Sequence, residues 1–361
     1  MDRSRIVIVG CGGCGNQQLN TLMGLDVRYD GIFMNTNLSE MENLKFFDRE
    51  RRCFYISNAD GTGKNQDLAE KYIKEDAPKF VEMIRKFTSQ DYMIIQASMN
   101  GGTGSKAITL LSRLTKKFCP EKSINIIATF PDINLSNIDY LNTINTWNDI
   151  IQLKKDKIID SVQFIDNNKS ENLQEINIKA MNELNDSFDI VGDNLDVSDS
   201  RRIHKAPGYK VILHLDPNIK DTEVAIRAAM KSSMFYVPEK LDCNMLIGNI
   251  NTNIFNLKYI KETYKGKAFT KFNTNPNKEN ILIFGGCSIP TEGIELTKEV
   301  LKELDKKQDQ KINDDDLIIE TNDYSSTDIN DDNDSVKQPI KSKLSSKELN
   351  NLFADKDFWL K

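Results

Sequence analysis

Short runs of branched aliphatic residues alternate along most of this chain with longer stretches that have the period of an amphipathic helix. Aliphatic runs at 6–9, 92–98 and 124–130, for example, each precede a helical pattern. Strands that alternate with helices are typical of a mostly parallel sheet that is covered on both faces. The sequence therefore predicts an α/β fold, and its 361 residues are enough for about two domains.

The alternation is interrupted once, by a helical pattern at 171–191 whose apolar positions recur every three or four residues. It resumes after residue 206 with a second set of strands and helices. We expect a Rossmann-like domain with a parallel sheet at 1–170, a long central helix with its following loop at 171–205, and a second, smaller α/β domain at 206–310.

The last part of the chain, 311–361, has a different composition. Its first half is acidic and poor in aromatic residues, which predicts a disordered tether because such a segment buries too little apolar surface to offset its ordering entropy. Its end combines several lysines with Leu349, Phe353, Phe358 and Trp359. This combination is typical of a short segment that docks on a partner, so we predict a flexible tether with a docking tail.

Bulk properties exclude several classes of protein. A net charge of −6 and a pI of about 5.3 argue against direct, tight binding to nucleic acid, which needs clustered lysine and arginine. No apolar run reaches the ~20 residues that span a bilayer, and we expect no membrane partner and a cytoplasmic location. Cys11 and Cys14 have no second CxxC pair and no histidine at metal-like spacing, so no metal site built from protein side chains is predicted.

The first glycine loop has the spacing of a dinucleotide-binding fingerprint, Gly10-x-Gly12-x-x-Gly15, directly after a strand. A dinucleotide site of this type needs an acidic residue at the end of the second strand, to bind the ribose hydroxyls. Here that strand ends in Asn35-Thr36-Asn37, without a carboxylate. A dinucleotide-dependent oxidoreductase therefore stays an alternative that lacks one expected group.

Two further glycine loops follow predicted strands. The segment Asn100–Ser105 has the sequence NGGTGS and precedes a helix, and Gly61-Thr62-Gly63 follows the third strand. Consecutive glycines let backbone amides surround an anion, and the start of a helix adds a positive dipole. Three such loops at the carboxyl ends of parallel strands favour a polyphosphate ligand over a single pyrophosphate.

These loops, in this order, resemble the nucleotide loops of the tubulin/FtsZ superfamily of polymerising GTPases. NGGTGS is similar to the GGGTGS signature of that family, with Asn100 in place of the first glycine. The resemblance implies GTP or GDP with Mg²⁺ as ligands. The residues that it implies for the phosphates and ribose are Gly12, Gly13, Cys14, Asn16, Gln17, Asn35, Asn37, Gly61, Thr62, Gly63, Asn100, Gly101, Gly102, Thr103, Gly104, Ser105 and Asn137.

The same resemblance assigns the base and the chemistry. Asn167 and Asn185 match the asparagines that read guanine, with Met181 packing on the base. Asn194-x-Asp196-x-x-Asp199 resembles the catalytic loop of the family, which acts on the nucleotide of the next subunit in a filament. The two carboxylates would orient the attacking water, so that hydrolysis of GTP is completed across the subunit interface.

The departure at Asn100 and the divergent second domain favour the plasmid- and phage-encoded branch of the superfamily, usually called TubZ. This implies a head-to-tail filament that segregates plasmid or phage DNA. The tail would then bind a DNA-binding adaptor protein on a centromere-like site. Two alternatives stay open for the tail: docking on the next subunit, as in a phage spindle tubulin that positions viral DNA, or packing on its own body.

Overall fold

Ten strands form one continuous sheet in the order β3-β2-β1-β4-β5-β6-β7-β10-β8-β9. The computed structural model describes residues 1–314 except Asn58 and Asp60, with side chains as far as residue 306. The strands are β1 (Ile6–Cys11), β2 (Asp30–Asn35), β3 (Cys53–Tyr55), β4 (Tyr92–Ser98), β5 (Ser123–Phe130), β6 (Ser161–Asp166), β7 (Gly208–His214), β8 (Met245–Asn249), β9 (Phe269–Asn273) and β10 (Ile281–Cys287).

The first seven strands pair in parallel, whereas β10 runs antiparallel to both of its neighbours, β7 and β8. The predicted α/β fold with a mostly parallel sheet is confirmed. Between the predicted first and second domains the sheet is joined by two residue pairs, Ser161 with Gly208 and Val162 with Tyr209. Residues 1–301 form one compact unit, and the finer division into domains stays a prediction.

Helices cover the sheet in two layers. They are α1 (Gly12–Leu25), α2 (Leu38–Glu42), α3 (Gln66–Lys86), α4 (Thr103–Phe118), α5 (Asn137–Lys155), α6 (Leu173–Asp186), α7 (Val197–His204), α8 (Thr222–Ser232), α9 (Leu257–Thr263) and α10 (Glu292–Asp314). α1 packs with α6, whereas α3 and α5 pack with α4. Right-handed crossovers place α1 and α3 on opposite faces, because the chain crosses the sheet in opposite directions before and after β3. The central strand β1 is consequently buried along all six residues.

The predicted central helix at 171–191 is shorter than expected. The side chain of Asn172 accepts hydrogen bonds from two amides of the first turn and starts α6 there. At the other end the chain tightens into a 3₁₀ turn at Ser187–Asp189, and the helix ends at Asp186. The apolar spacing continued past the helix because Phe188 and Ile190 are core residues of the turn and the loop.

The last helix, α10, extends to Asp314 and so passes the predicted boundary at residue 310. The rest of the predicted tether and the docking tail, 315–361, lie outside the described residues. Within the described part of the chain, no helix combines the length and the apolar character that crossing a bilayer requires.

Candidate functional site

Loops that follow β2, β3 and β4 meet at the hydroxyl of Thr103, the first residue of α4. Its Oγ1 lies 3.1 Å from Oγ1 of Thr36 and 3.2 Å from Oγ1 of Thr62. All three residues are buried. The carboxyl ends of neighbouring parallel strands share one edge of the sheet, which is why these loops converge. Thr36 was not among the predicted site residues, although it lies between the predicted Asn35 and Asn37.

The first glycine loop packs directly against the loop at the start of α4. Gly12 begins α1 with a φ of 68°, a conformation that glycine adopts without strain. A Cβ atom on Gly104 would lie 2.7 Å from the carbonyl oxygen of Cys11, and one on Gly102 would lie 2.3 Å from Oγ1 of Thr62. Gly104 therefore packs against backbone and Gly102 against the hydroxyl of Thr62, and neither position leaves room for a Cβ atom. We call residues 12–15, 61–64 and 100–105 the anion cradle.

The helices that start in the anion cradle have no capping side chain. At the starts of α1 and α4, no described side chain accepts a hydrogen bond from the first turn. In contrast, α2, α3, α6, α7, α8 and α9 each begin with an Asn or Asp side chain that accepts one. Uncapped first-turn amides are donors for an anion, and the helix dipole favours negative charge there. Two such starts side by side suit a ligand with more than one phosphate.

A buried carboxylate, Asp139, ties the cradle loops to α5. It accepts hydrogen bonds from Nζ of Lys64 at 2.7 Å and from Nδ2 of Asn100 at 2.9 Å, and it also caps α5 with Ser136. Burial alone would raise the pKa of Asp139, but hydrogen bonds from these three side chains outweigh it and lower the pKa. Lys64, held in this way with a φ of 66°, keeps a backbone conformation that is rare outside glycine.

Glu40, on α2, faces the start of α1 and was not predicted from the sequence. Nδ2 of Asn35 and Nδ2 of Asn37 donate to its two carboxylate oxygens at 2.8 and 3.1 Å. An ideal Cβ on Gly13 would lie 3.5 Å from Oε2 of Glu40, so the carboxylate lies beside the cradle. A signal existed in the sequence, because an acid three residues after the capping Asn37 is a common start of a helix.

The other residues predicted around α1 differ in availability. Asn16 is buried, and its amide exchanges two hydrogen bonds with the backbone of Met34, at 3.1 and 3.2 Å, which binds α1 to β2. Gln17 is exposed, and Cys14 is half-buried with its pKa raised to about 11 by burial. Of these three, the side chains of Cys14 and Gln17 are therefore the ones available to a ligand.

Two further predicted site residues, Ser105 and Asn137, lie in the first turns of α4 and α5. Ser105 is fully buried; its hydroxyl donates to the carbonyl oxygen of Gly102 at 2.9 Å and accepts from Nε2 of Gln66. The hydroxyl of Ser105 thus stabilises the turn at the start of α4 from its buried side. Asn137 is half-buried as the first residue of α5, at the same edge of the sheet as the cradle.

The structure does not bring Asn185 and Met181 to the cradle. Asn185 accepts hydrogen bonds from Nε of Arg3 at 2.9 Å and from the hydroxyl of Tyr29 at 3.1 Å, at the amino ends of β1 and β2. Met181 is fully buried in the core, where its sulfur accepts from Gln96. The reason is that α6 runs across the sheet, so its last turns lie at the edge opposite to the loops.

Asn177, two turns earlier on α6, lies beside α1 near the cradle residue Cys14. Oδ1 of Asn177 accepts a hydrogen bond from Nε2 of Gln18 at 2.9 Å. The same Nε2 of Gln18 also donates to the hydroxyl of Thr129, at the end of β5, and to the sulfur of Cys14. The half-buried Asn167 follows β6 at this edge. Helical spacing alone did not distinguish Asn177 from Asn185, because the register of α6 on the sheet depends on tertiary packing.

The predicted catalytic loop lies at the far end of α6. Asp196 caps α7 by accepting from the amide of Asp199 at 2.9 Å, and Asp199 accepts in return from the amide of Asp196 at 3.1 Å. The side chain of Asn194 is exposed. α6 has 14 residues, and at ~1.5 Å per residue it separates this loop from the cradle edge by about 20 Å. Within one subunit, the acids and the cradle are thus apart.

Comparisons with known proteins agree with this fold. Residues 5–175 match the model of the Tubulin/FtsZ family, GTPase domain. A tubulin-like protein TubZ of Clostridium botulinum C phage is 26% identical over 313 residues, which cover 85% of each chain. The solved structure of TubZ from Clostridium botulinum phage c-st, with its C-terminal tail truncated, is similar with a TM-score of 0.77 at 25% identity, covering 85% of this chain and 100% of that one.

A structure of GDP-form protofilaments of TubZ from Bacillus thuringiensis serovar israelensis shares the fold, with a TM-score of 0.70 at 19% identity over 86% of this chain and 93% of that one. The resemblance drawn from the glycine loops is confirmed, and the oxidoreductase alternative loses its support. Residues 5–175, which contain the whole anion cradle, therefore match the GTPase domain of the Tubulin/FtsZ family.

Proposed function

We propose that this protein binds GTP in the anion cradle, assembles head to tail into filaments, and hydrolyses the GTP of one subunit with the acids of the next. The observation that carries the proposal is the distance, within one subunit, between the phosphate-binding part of the site and the loop with the two acids. The cradle offers uncapped helix starts, and its described neighbours Asp139 and Glu40 already accept hydrogen bonds from side chains of the surrounding loops. Asp196 and Asp199 lie about 20 Å away along α6. When two copies stack head to tail, the acids of one subunit complete the nucleotide site of the next.

In this proposal the phosphates lie on the first turns of α1 and α4, with Thr62 and Thr103 as hydroxyl donors. The guanine base lies between α1 and α6, where Asn167 and Asn177 present amides to its edge. Leu173, one turn before Asn177, is 45% exposed and offers an apolar surface for the base. Met181 and Asn185 have no place in this site.

A magnesium ion fits the same site through Glu40. Mg²⁺ prefers oxygen ligands and is usually held by one or two carboxylates together with substrate phosphates. Among the described residues no three His, Cys, Asp or Glu side chains form a metal cluster, so the phosphates would supply much of the coordination. The ion would neutralise charge on the phosphates, and Asn35 and Asn37 would orient Glu40 toward it.

Assembly is supported by the protofilament structure of the Bacillus thuringiensis TubZ, which shares this fold. The test is turnover of GTP by the wild-type protein across a dilution series, with pelleting measured in parallel. We expect the rate of phosphate release per molecule to fall steeply below the concentration at which pelleted filament disappears. A constant rate per molecule through that point would contradict a shared active site.

Substitution of Asn177 tests the base site separately. We expect Asn177→Ala to reduce the preference for GTP over ATP by about fivefold, since a lost neutral hydrogen bond is worth about 1 kcal/mol. Asn185→Ala, on the same helix, is the matched control and should keep the preference. Competition binding of GTP and ATP to unassembled protein measures the preference of both variants. If Asn177→Ala keeps the wild-type preference for GTP, Asn177 does not read the base.

We further propose that the filament segregates plasmid or phage DNA in the cytoplasm, through a DNA-binding adaptor that the tail binds. The support is the similarity to a phage-encoded TubZ together with the composition of the tail. An acidic tether that ends in Phe358, Trp359 and Leu360 holds an apolar docking segment at raised local concentration near the filament.

A further inference from the structure

A lysine of β9 contacts the proposed catalytic loop. Nζ of Lys271 donates to Oδ2 of Asp199, the oxygen that also accepts from the amide of Asp196. Oδ1 of Asp199 accepts no hydrogen bond from the described residues. The hydrogen bond to Asp199 raises the pKa of Lys271, so the ammonium stays charged at neutral pH. One oxygen of the carboxylate is therefore held and the other is available.

The same face of β9 also holds the beginning of the loop. Asn273, two residues after Lys271 and so on the same face of the strand, is buried. Its Oδ1 accepts from the amide of Asn194 at 2.9 Å, and its Nδ2 donates to the carbonyl oxygen of Ile190 at 2.6 Å. β9 thus supports the loop at its backbone and at its second acid.

Such support matters for the proposed chemistry. A carboxylate that orients water must be held in position before the neighbouring nucleotide arrives, because small displacements of a catalytic group cost large factors in rate. Asp199 is on the first turn of a helix of eight residues, and the capping box fixes its carboxylate through the amide of Asp196. The contact with Lys271 supplies a second fixed point from a different element.

We propose that Lys271 is a positioning residue for hydrolysis, which fixes one oxygen of Asp199 so that the other faces the water at the nucleotide of the neighbouring subunit. This rests on the proposed shared active site. It adds a residue outside the Asn194–Asp199 loop to the machinery. Lys271 lies on the same subunit as the acids and acts through Asp199, without touching the nucleotide that its own subunit binds.

The test uses three variants of the full-length protein. Two are the single changes Lys271→Met and Lys271→Arg, and the third combines Asp199→Ala and Lys271→Met in one chain. Lys267→Met is the matched control, because Lys267 is an exposed lysine close to β9 that pairs with Asp242 outside the loop. Phosphate release per pelleted subunit, GTP binding by unassembled protein, and pelleting with a slowly hydrolysed GTP analogue are measured for each.

We expect Lys271→Met to lower turnover per pelleted subunit about tenfold. GTP binding and pelleting should stay unchanged, and Lys271→Arg should restore most of the rate. In the double variant the loss should equal that of Asp199→Ala alone, because both changes act through one carboxylate.

The role of Lys271 would be overturned if Lys271→Met hydrolysed GTP at the wild-type rate, or if its rate fell only because less filament formed. It would also be overturned if the losses of rate from the two changes added up in the double variant. If Asp199→Ala itself hydrolyses GTP at the wild-type rate, the proposed function fails instead. The two failures are therefore distinguishable.

Discussion

Replacing Asp199 by alanine should lower GTP turnover in assembled filaments by about 10³-fold, a typical effect of losing a group that orients or activates the attacking nucleophile. GTP binding should be retained, because the anion cradle lies at the other end of α6. Filaments should form and persist, since their nucleotide is hydrolysed slowly. The physical reason is that Asp199 and Asp196 are the carboxylates that the fold places at the start of α7, away from the phosphates of their own subunit.

Phosphate release and pelleting of the same sample measure this outcome. Asp199→Ala also removes half of a capping box, which costs about 1 kcal/mol of stability, so Asp199→Asn is the second variant because its amide keeps an oxygen acceptor for the cap. Asp193→Ala, an exposed acid of the same loop, is the matched control. Normal hydrolysis by a folded Asp199→Asn filament would rule out the catalytic assignment.

Replacing Gly104 by alanine should weaken GTP binding by about 10²-fold, the equivalent of one or two charge-assisted hydrogen bonds. The new Cβ would lie 2.7 Å from the carbonyl oxygen of Cys11 and 3.4 Å from the Cβ of Ala97. Backbone cannot yield as a flexible side chain does, so the start of α4 must move away from that of α1. The two sets of uncapped amides would then no longer converge on one ligand.

Equilibrium binding of GTP to unassembled protein checks this prediction, with circular dichroism to show that the variant is folded. Gly24→Ala, in the last turn of α1, is the control, because its Cβ would meet the ring of Phe46 at 3.3 Å and no backbone atom. Wild-type affinity in a folded Gly104→Ala protein would show that the contact between the two helix starts is not needed for binding.

Much of this arrangement could be predicted from local patterns. Aliphatic runs such as 6–9 and 92–98 are strands because they are buried on both faces, and the glycines after them permit turns that other residues cannot make. The order of strand, glycine loop and helix placed the cradle at one edge of the sheet. Parallel strands impose that placement, so it needs no knowledge of how distant segments pack.

The proposed base site and the contacts that support the loops depend on packing between segments that are distant in the sequence. Asn177 and Asn185 are eight residues apart on one helix, and their local sequence does not say which of them faces the end of β5 and which faces Arg3. Asp139 and Glu40 likewise read as ordinary helix starts until the structure brings them to the cradle.

The sequence by itself determined the α/β class, the cradle and the loop with two acids, because each depends on residues that are adjacent along the chain. Only the tertiary structure decided that α6 ends at Asp186, that Asn177 rather than Asn185 lies near Cys14, and that Lys271 reaches Asp199. These facts depend on how a helix is placed against a sheet and on contacts between residues that are far apart in the chain, which local patterns do not encode.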